Sequence, residues 1–198
     1  MTIDSAVLNS SLLESEFIIC EYRNGTQPDN VKVQEYLQQL ERVPLGLQEI
    51  IANEGSYIVF FNGAITDNPE MRHVKGVRPR NWDRYTWDNV CAAHDSSSKA
   101  ILIGIEGDYV GMDDPFLHEF GHSFDDRVGE HLRSYPMSEW SEVLQALKSE
   151  PFPKSYHGHP REYVANSVDL FYRSDRTNRQ LSGSNPSMFQ LLRELESI

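Results

Sequence analysis

Cysteine is nearly absent from this chain of 198 residues, where only Cys20 and Cys91 occur. Two thiols cannot build a disulfide framework or a four-thiolate zinc site, so both are expected to behave as small buried hydrophobes. Positive charge is also scarce, with 18 Lys and Arg against 30 Asp and Glu and a formal net charge of −12. Without a Lys/Arg block, the chain is poorly suited to neutralising the phosphates of a nucleic acid or an anionic membrane. A neutral or basic partner is expected instead. Long apolar runs are missing too: the longest, such as Tyr57–Phe61 and Ala100–Ile105, reach roughly a third of a membrane span. The first 25 residues hold Asp4, Glu14 and Glu16, have no basic n-region and never reach a clean apolar run. That is not a signal-peptide pattern. No repeat or low-complexity tract is present, and 12 Gly and 10 Pro exclude collagen-like and disordered classes.

What is present is enough for one core. With 39% hydrophobic and 24% charged residues, a chain of this length is expected to form a single domain over 1–198 and to act as a monomer. Glu16–Tyr22 reads as a short strand, and Asp29 and Asn30 can cap a helix running to about Arg42. Pro44 then restarts a helix to about Asn53. Tyr57–Asn62 and Lys99–Glu106 read as strands, each closed by a glycine, with an irregular aromatic stretch Gly76–Asp88 between them. From Asp113 the periodicity is helical, predicting helices at about 113–130, 137–149, 160–173 and 185–196. The order predicts an α+β fold, with a small mixed sheet in the N-terminal half packed against a predominantly helical C-terminal half. Strand Lys99–Glu106, leading into the first of those later helices, is expected to offer its edge to an extended peptide.

The chemistry concentrates in His118-Glu119-Phe120-Gly121-His122. At 3.6 residues per turn the two histidines lie one turn apart on one helix face, where their imidazoles can converge on one ion, and neutral nitrogens suit Zn²⁺. Glu119, about 100° around the helix, is badly placed as a ligand but well placed to take a proton from a metal-bound water. Phe116, Phe120, Phe124 and Val128 recur at four-residue steps opposite the histidines, predicting a helix anchored in the core, with His118, His122 and Asp125 on its polar side. Solvated surface histidines, or a structural zinc site, are the plainer alternatives.

A catalytic zinc needs a third protein ligand. The pattern with a third histidine six residues on is excluded, because Val128 stands where His is required and Asp125 where Gly is required. A glutamate from a later helix completes a His₂Glu set, and Glu162, just after the helix-starting Pro160, is the best candidate. Glu130, Glu139, Glu142, His157 and His159 are its rivals. Asp125 and Asn166, each one turn from a candidate ligand, are candidates to orient the coordinating side chains. Tyr156 lies in a Gly/Pro-broken loop from which a phenol can reach an oxyanion.

Several motifs resemble one known family, the zinc metallopeptidase domain shared by anthrax toxin lethal factor and the secreted clostridial Pro-Pro endopeptidases. LHEFGHSFDD, Leu117–Asp126, is similar to the catalytic helix of lethal factor, and VKGVRPRNWDRYTWDNV, Val74–Val90, resembles the Pro-Pro endopeptidase pattern K-G-V-x-P-x-x-W followed by T-W-D-x-V. HPREYVANSVDLFY, His159–Tyr172, is similar to the P-x-E-F-F-A-E segment, and Asn185–Leu195 resembles the closing helix. The likeness spans about residues 57–198. It implies a zincin-like fold, Zn²⁺ held by His118, His122 and Glu162, Glu119 as general base and Tyr156 on the oxyanion side. It also implies a substrate groove lined by Trp82, with Arg80 and Arg161 near the subsites. The departures are a Tyr156–Glu162 spacing one residue shorter, Asn166 in place of a glutamate, Arg161 in place of an acidic residue and Arg80 in place of a lysine.

The expected activity is therefore zinc-dependent hydrolysis of extended, proline-containing protein or peptide segments. A zinc-containing domain that binds peptides without cutting them, and an intracellular housekeeping peptidase, are the alternatives. The resemblance implies an extracellular setting, and the lack of a leader pattern keeps a cytoplasmic one open.

Overall fold

Alternation along the second strand sets the layering of the molecule. In the computed structural model, which describes residues 17–20, 30–79, 84–105, 115–150 and 159–198, Tyr57–Phe61 (β2) buries side chains on both faces. Ile58 and Phe60 enter the larger core with the helices, while Val59 and Phe61 enter a smaller one with Ile65, Met71 and Leu102. A strand covered on both sides reads as a continuous apolar run, which is how YIVFF and AILIG look in the sequence.

Four strands form the sheet: Ile18–Cys20 (β1), β2, Ala92–Asp95 (β3) and Ala100–Gly104 (β4), in spatial order β1-β2-β4-β3. β1, β2 and β4 run parallel and β3 antiparallel to β4, so the sheet is small and mixed, as expected. One expectation is corrected. β4 is hydrogen-bonded to β2 on one side and β3 on the other, so it has no edge to offer a peptide. The edges of the described sheet are β1 and β3, the latter a strand not visible in the pattern because Ala-Ala-His-Asp has neither β-branching nor an apolar run.

Helices Asn30–Leu40 (α1) and Leu45–Asn53 (α2) pack Leu37, Leu40, Leu47 and Ile51 against the sheet. They are followed after β4 by Pro115–Arg133 (α3), Ser141–Ser149 (α4), Pro160–Arg173 (α5), Asp175–Ser184 (α6) and Pro186–Leu195 (α7). The predicted helix at 137–149 is a 3₁₀ turn, Met137–Glu139, and then α4. α6 escapes periodicity because Leu181 is its only buried residue. It forms on a capping box in which the Ser174 hydroxyl accepts from the Thr177 N–H.

α3 carries Phe116, Phe120, Phe124 and Val128 fully buried, as their spacing requires. The opposite side is not solvent-facing as its polarity had implied: His118, Asp125 and Asp126 are buried too, because α5 lies over them. The approach is close. A Cβ on Gly121 would sit 2.7 Å from the Ala165 Cα and carbonyl oxygen, so only glycine permits this crossing.

The second sheet face is covered by the segment after β2, where Asp88 acts as a hub. Its carboxylate accepts from Thr66 Oγ1 (2.8 Å), Gly76 N (2.7 Å) and Thr86 Oγ1 (2.9 Å), and those bonds hold it below the usual carboxylate range. Gly76 has φ of +72°, open to glycine at little cost. Trp87 and Val90 from this segment pack on the smaller core.

Candidate metal centre

Two prolines open the two helices that matter, Pro115 on α3 and Pro160 on α5, where a missing N–H costs nothing. One turn into α3, His118 and His122 bring their rings to 4.9 Å between centroids with planes at 90°. In the first turn of α5, Glu162 faces both. Its Oε2 lies 3.3 Å from His118 Nε2 and its Oε1 3.5 Å from His122 Nε2. The three ligand atoms lie within 4.8 Å of one another. Two imidazole nitrogens and a carboxylate at this separation, with Glu162 open to solvent at 38% side-chain exposure, fit a divalent ion of the zinc type bound on three protein ligands.

The protonation pattern agrees with a site short of positive charge. Burial alone would lower His118, but its bond to Glu162 and the nearby Glu119, Glu162 and Asp169 carboxylates outweigh this and raise it. Burial lowers His122. Burial would raise Glu162, yet the His118 bond and the two imidazoles bring it below its ordinary value. A cation at the centre would take the place of the proton that His118 attracts.

Glu119, 6% exposed, sends Oε2 to the backbone N–H of His94 at 2.8 Å. The register explains why that N–H is available. Cys91 O accepts from Gly104 N, so odd-numbered residues of β3 pair with β4, and Ala92 and His94 turn their backbone groups outward along the edge. The side chain of His94, not anticipated from the sequence, stacks beside His122 at 6.3 Å between centroids, with its Nε2 buried and without a hydrogen-bond partner among the described residues. Burial, then the neighbouring His122, Arg161 and Arg127, lower His94 to about 3, so it stays neutral.

The remaining sequence candidates divide. Asp125 does not turn to an imidazole: it is fully buried, and its Oδ1 accepts from Ser138 N at 2.6 Å. Asn166 braces its own helix, donating to the Glu162 carbonyl at 2.7 Å. Arg161 reaches Asp126, a residue that spacing had not singled out, with Nη2 at 2.8 and 2.7 Å from its two oxygens. Among the rival ligands, Glu130 accepts from Arg127 at 2.6 Å, Glu142 pairs with Arg133 at 2.5 Å, Glu139 is exposed and His159 precedes α5. Arg80, Trp82, Tyr156 and His157 lie outside the described residues. Cys91 is buried and free, and the Cys20 side chain is likewise outside the description.

The chain is 30% identical over 168 residues to a Pro-Pro endopeptidase of Paenibacillus alvei, covering 80% of this chain and 74% of that one. It is 29% identical over 146 residues to a Pro-Pro endopeptidase of Clostridioides difficile, covering 70% and 64%. Its fold matches the solved structure of the Pro-Pro endopeptidase from Paenibacillus alvei with a TM-score of 0.75 at 23% identity, over 90% of this chain and 97% of that one. Residues 18–195 match the family described as anthrax toxin lethal factor, N- and C-terminal domain, a span holding both ligand-bearing helices and the whole sheet, and the chain belongs to that family.

Proposed function

We propose that the chain is a zinc-dependent endopeptidase that cuts extended, proline-containing segments of proteins. The observation that carries this reading is the convergence of His118, His122 and Glu162 on one point, with the Glu119 carboxylate beside them fixed by an edge-strand N–H. When bound there, zinc supplies Lewis-acid polarisation of the scissile carbonyl and lowers the pKa of a water. Glu119 receives that water's proton at Oε1, since Oε2 is engaged with His94, and delivers it to the departing amine. Because the His94 N–H holds the carboxylate at one oxygen, the other keeps a set direction through both transfers.

The outward backbone groups of Ala92 and the His94 carbonyl suit an extended chain added antiparallel to β3, which would carry the scissile bond past Glu119. Tyr156 is proposed as donor to the developing oxyanion, and Trp82, with Arg80 nearby, as a wall of the groove. Proline-rich substrates are favoured because the curated relatives carry the name Pro-Pro endopeptidase. A pre-ordered polyproline II segment also loses little entropy on docking to an indole face.

The test has two parts. Elemental analysis of protein purified without added metal should find one zinc per chain, and a Glu162→Ala variant should lose it. A peptide library digested with the zinc-loaded protein should yield new N-termini with proline enriched around the cut. Zinc retained in Glu162→Ala would remove the third ligand, and cuts without proline enrichment would remove the specificity while leaving the peptidase.

A further inference from the structure

We propose that Arg161 is a positioning residue for the metal centre, holding the first turn of α5 at ligand distance from α3 before any ion arrives. The inference rests on the metal reading above. Glu162 stands in the first turn of a helix that meets α3 at a crossing, and nothing in its own sequence neighbourhood sets how far its carboxylate lies from the histidines. Arg161, the residue before it, reaches the turn of α3 that follows His122. Nη2 bonds both oxygens of Asp126, Nε lies 3.7 Å from Asp125 Oδ2, and Nη2 stands 3.5 Å from Ser96 Oγ in the turn between β3 and β4. One side chain thus touches the helix bearing two ligands and the turn of the edge strand, while its backbone neighbour is the third ligand.

The charges make the contact specific. Asp125 and Asp126 are adjacent carboxylates with side-chain exposures of 0% and 8%, so a cation must face them. Asp125 is itself pinned by Ser138 N, which gives the cluster a fixed base. Arg161 is 47% exposed, so its ion pair adds little to global stability in water. Its value lies in geometry: the distance between residues 122 and 162 is set by a contact between 126 and 161, and the ordering of α5 is not charged to metal binding. A residue that merely touched substrate would leave metal affinity alone, which separates this role from the subsite role the sequence had implied for Arg161.

The experiment is competition for Zn²⁺ between metal-free protein and a fluorescent chelator, with parent, Arg161→Ala, Arg161→Lys, Asp126→Asn and the double variant Arg161→Ala/Asp126→Asn. Circular dichroism melts of the metal-free forms establish folding. Arg161→Ala and Asp126→Asn are expected to weaken zinc about 10- to 100-fold, the range for groups that orient metal ligands. Arg161→Lys should recover part of the loss, and the double variant should cost no more than the worse single one, because both remove the same contact. A folded Arg161→Ala or Asp126→Asn that binds zinc as tightly as the parent overturns the proposal. So does a raised KM at unchanged zinc affinity, or additivity in the double variant. Should Arg161→Ala fail to fold, Arg161→Lys and Asp126→Asn decide by the same criterion. A parent that takes up no zinc overturns the metal reading, and the inference with it.

Discussion

In the proposed mechanism Glu119 carries a proton and holds no metal, and that division of labour can be measured. Glu119→Gln keeps an oxygen to accept the His94 N–H but cannot take a proton. It should retain zinc and fold while kcat falls about 10²- to 10⁴-fold, the usual worth of a general base, read from peptide hydrolysis alongside metal content. Asp125 gives a second residue-scale expectation. Burial, reinforced by the neighbouring Asp126 charge and partly offset by the Ser138 bonds and Arg161, raises it from 3.8 to about 6. A carboxyl whose folded pKa is raised stabilises the fold while it stays protonated. That contribution is full below pH 3.8 and is lost as pH climbs through about 6. Two pKa units correspond to about 3 kcal/mol. Asp125→Asn keeps the acceptor for Ser138 N and cannot ionise, so urea midpoints of the parent relative to the variant should fall between pH 4 and 6. A constant difference across that range would show that Asp125 titrates normally.

Among the elements, the decisive contact is α3 against α5. Gly121 precedes a candidate ligand, and any side chain there meets Ala165. Gly121→Ala must push the helices apart, and overpacking of this kind costs about 1–3 kcal/mol. The displacement also falls on the Glu162-to-histidine distances of 3.3 and 3.5 Å, so zinc affinity should drop together with the melting temperature. A variant that loses stability and binds zinc normally would mean that the helices part elsewhere. The covering segment is a separate unit with a separate expectation. Asp88→Ala removes three hydrogen bonds that tie residues 66, 76 and 86 together. KM for peptide should rise severalfold with zinc content unchanged, because the segment carries Arg80 and Trp82, proposed for the groove, and none of the candidate metal ligands.

For the molecule as a whole, the proposed metal site would couple metal to fold, because its three side chains come from two helices. Zinc at a free concentration 100 times its Kd should stabilise the protein by about 2.7 kcal/mol. For a chain of this size that is a rise of roughly 5–10 °C in Tm, reversed by a chelator and absent in Glu162→Ala. Much of the arrangement was legible beforehand. The four-residue recurrence of Phe116, Phe120, Phe124 and Val128 predicted α3 and its buried side, and the one-turn spacing of His118 and His122 paired them, because helical periodicity is a local property of the chain. Pro160 announced the start of α5 for the same reason. Tertiary structure alone decided the rest. β4 became an interior strand because β2, from much earlier in the sequence, pairs with it, and β3, folded back on β4 as a hairpin, was left at an edge of the described sheet. His94 reached the site because β3 packs against α3, and Asp126 became the partner of Arg161 because the two helices cross at a glycine. Which polar face is buried, and which carboxylate meets which cation, depends on what packs over it, and no local pattern records that.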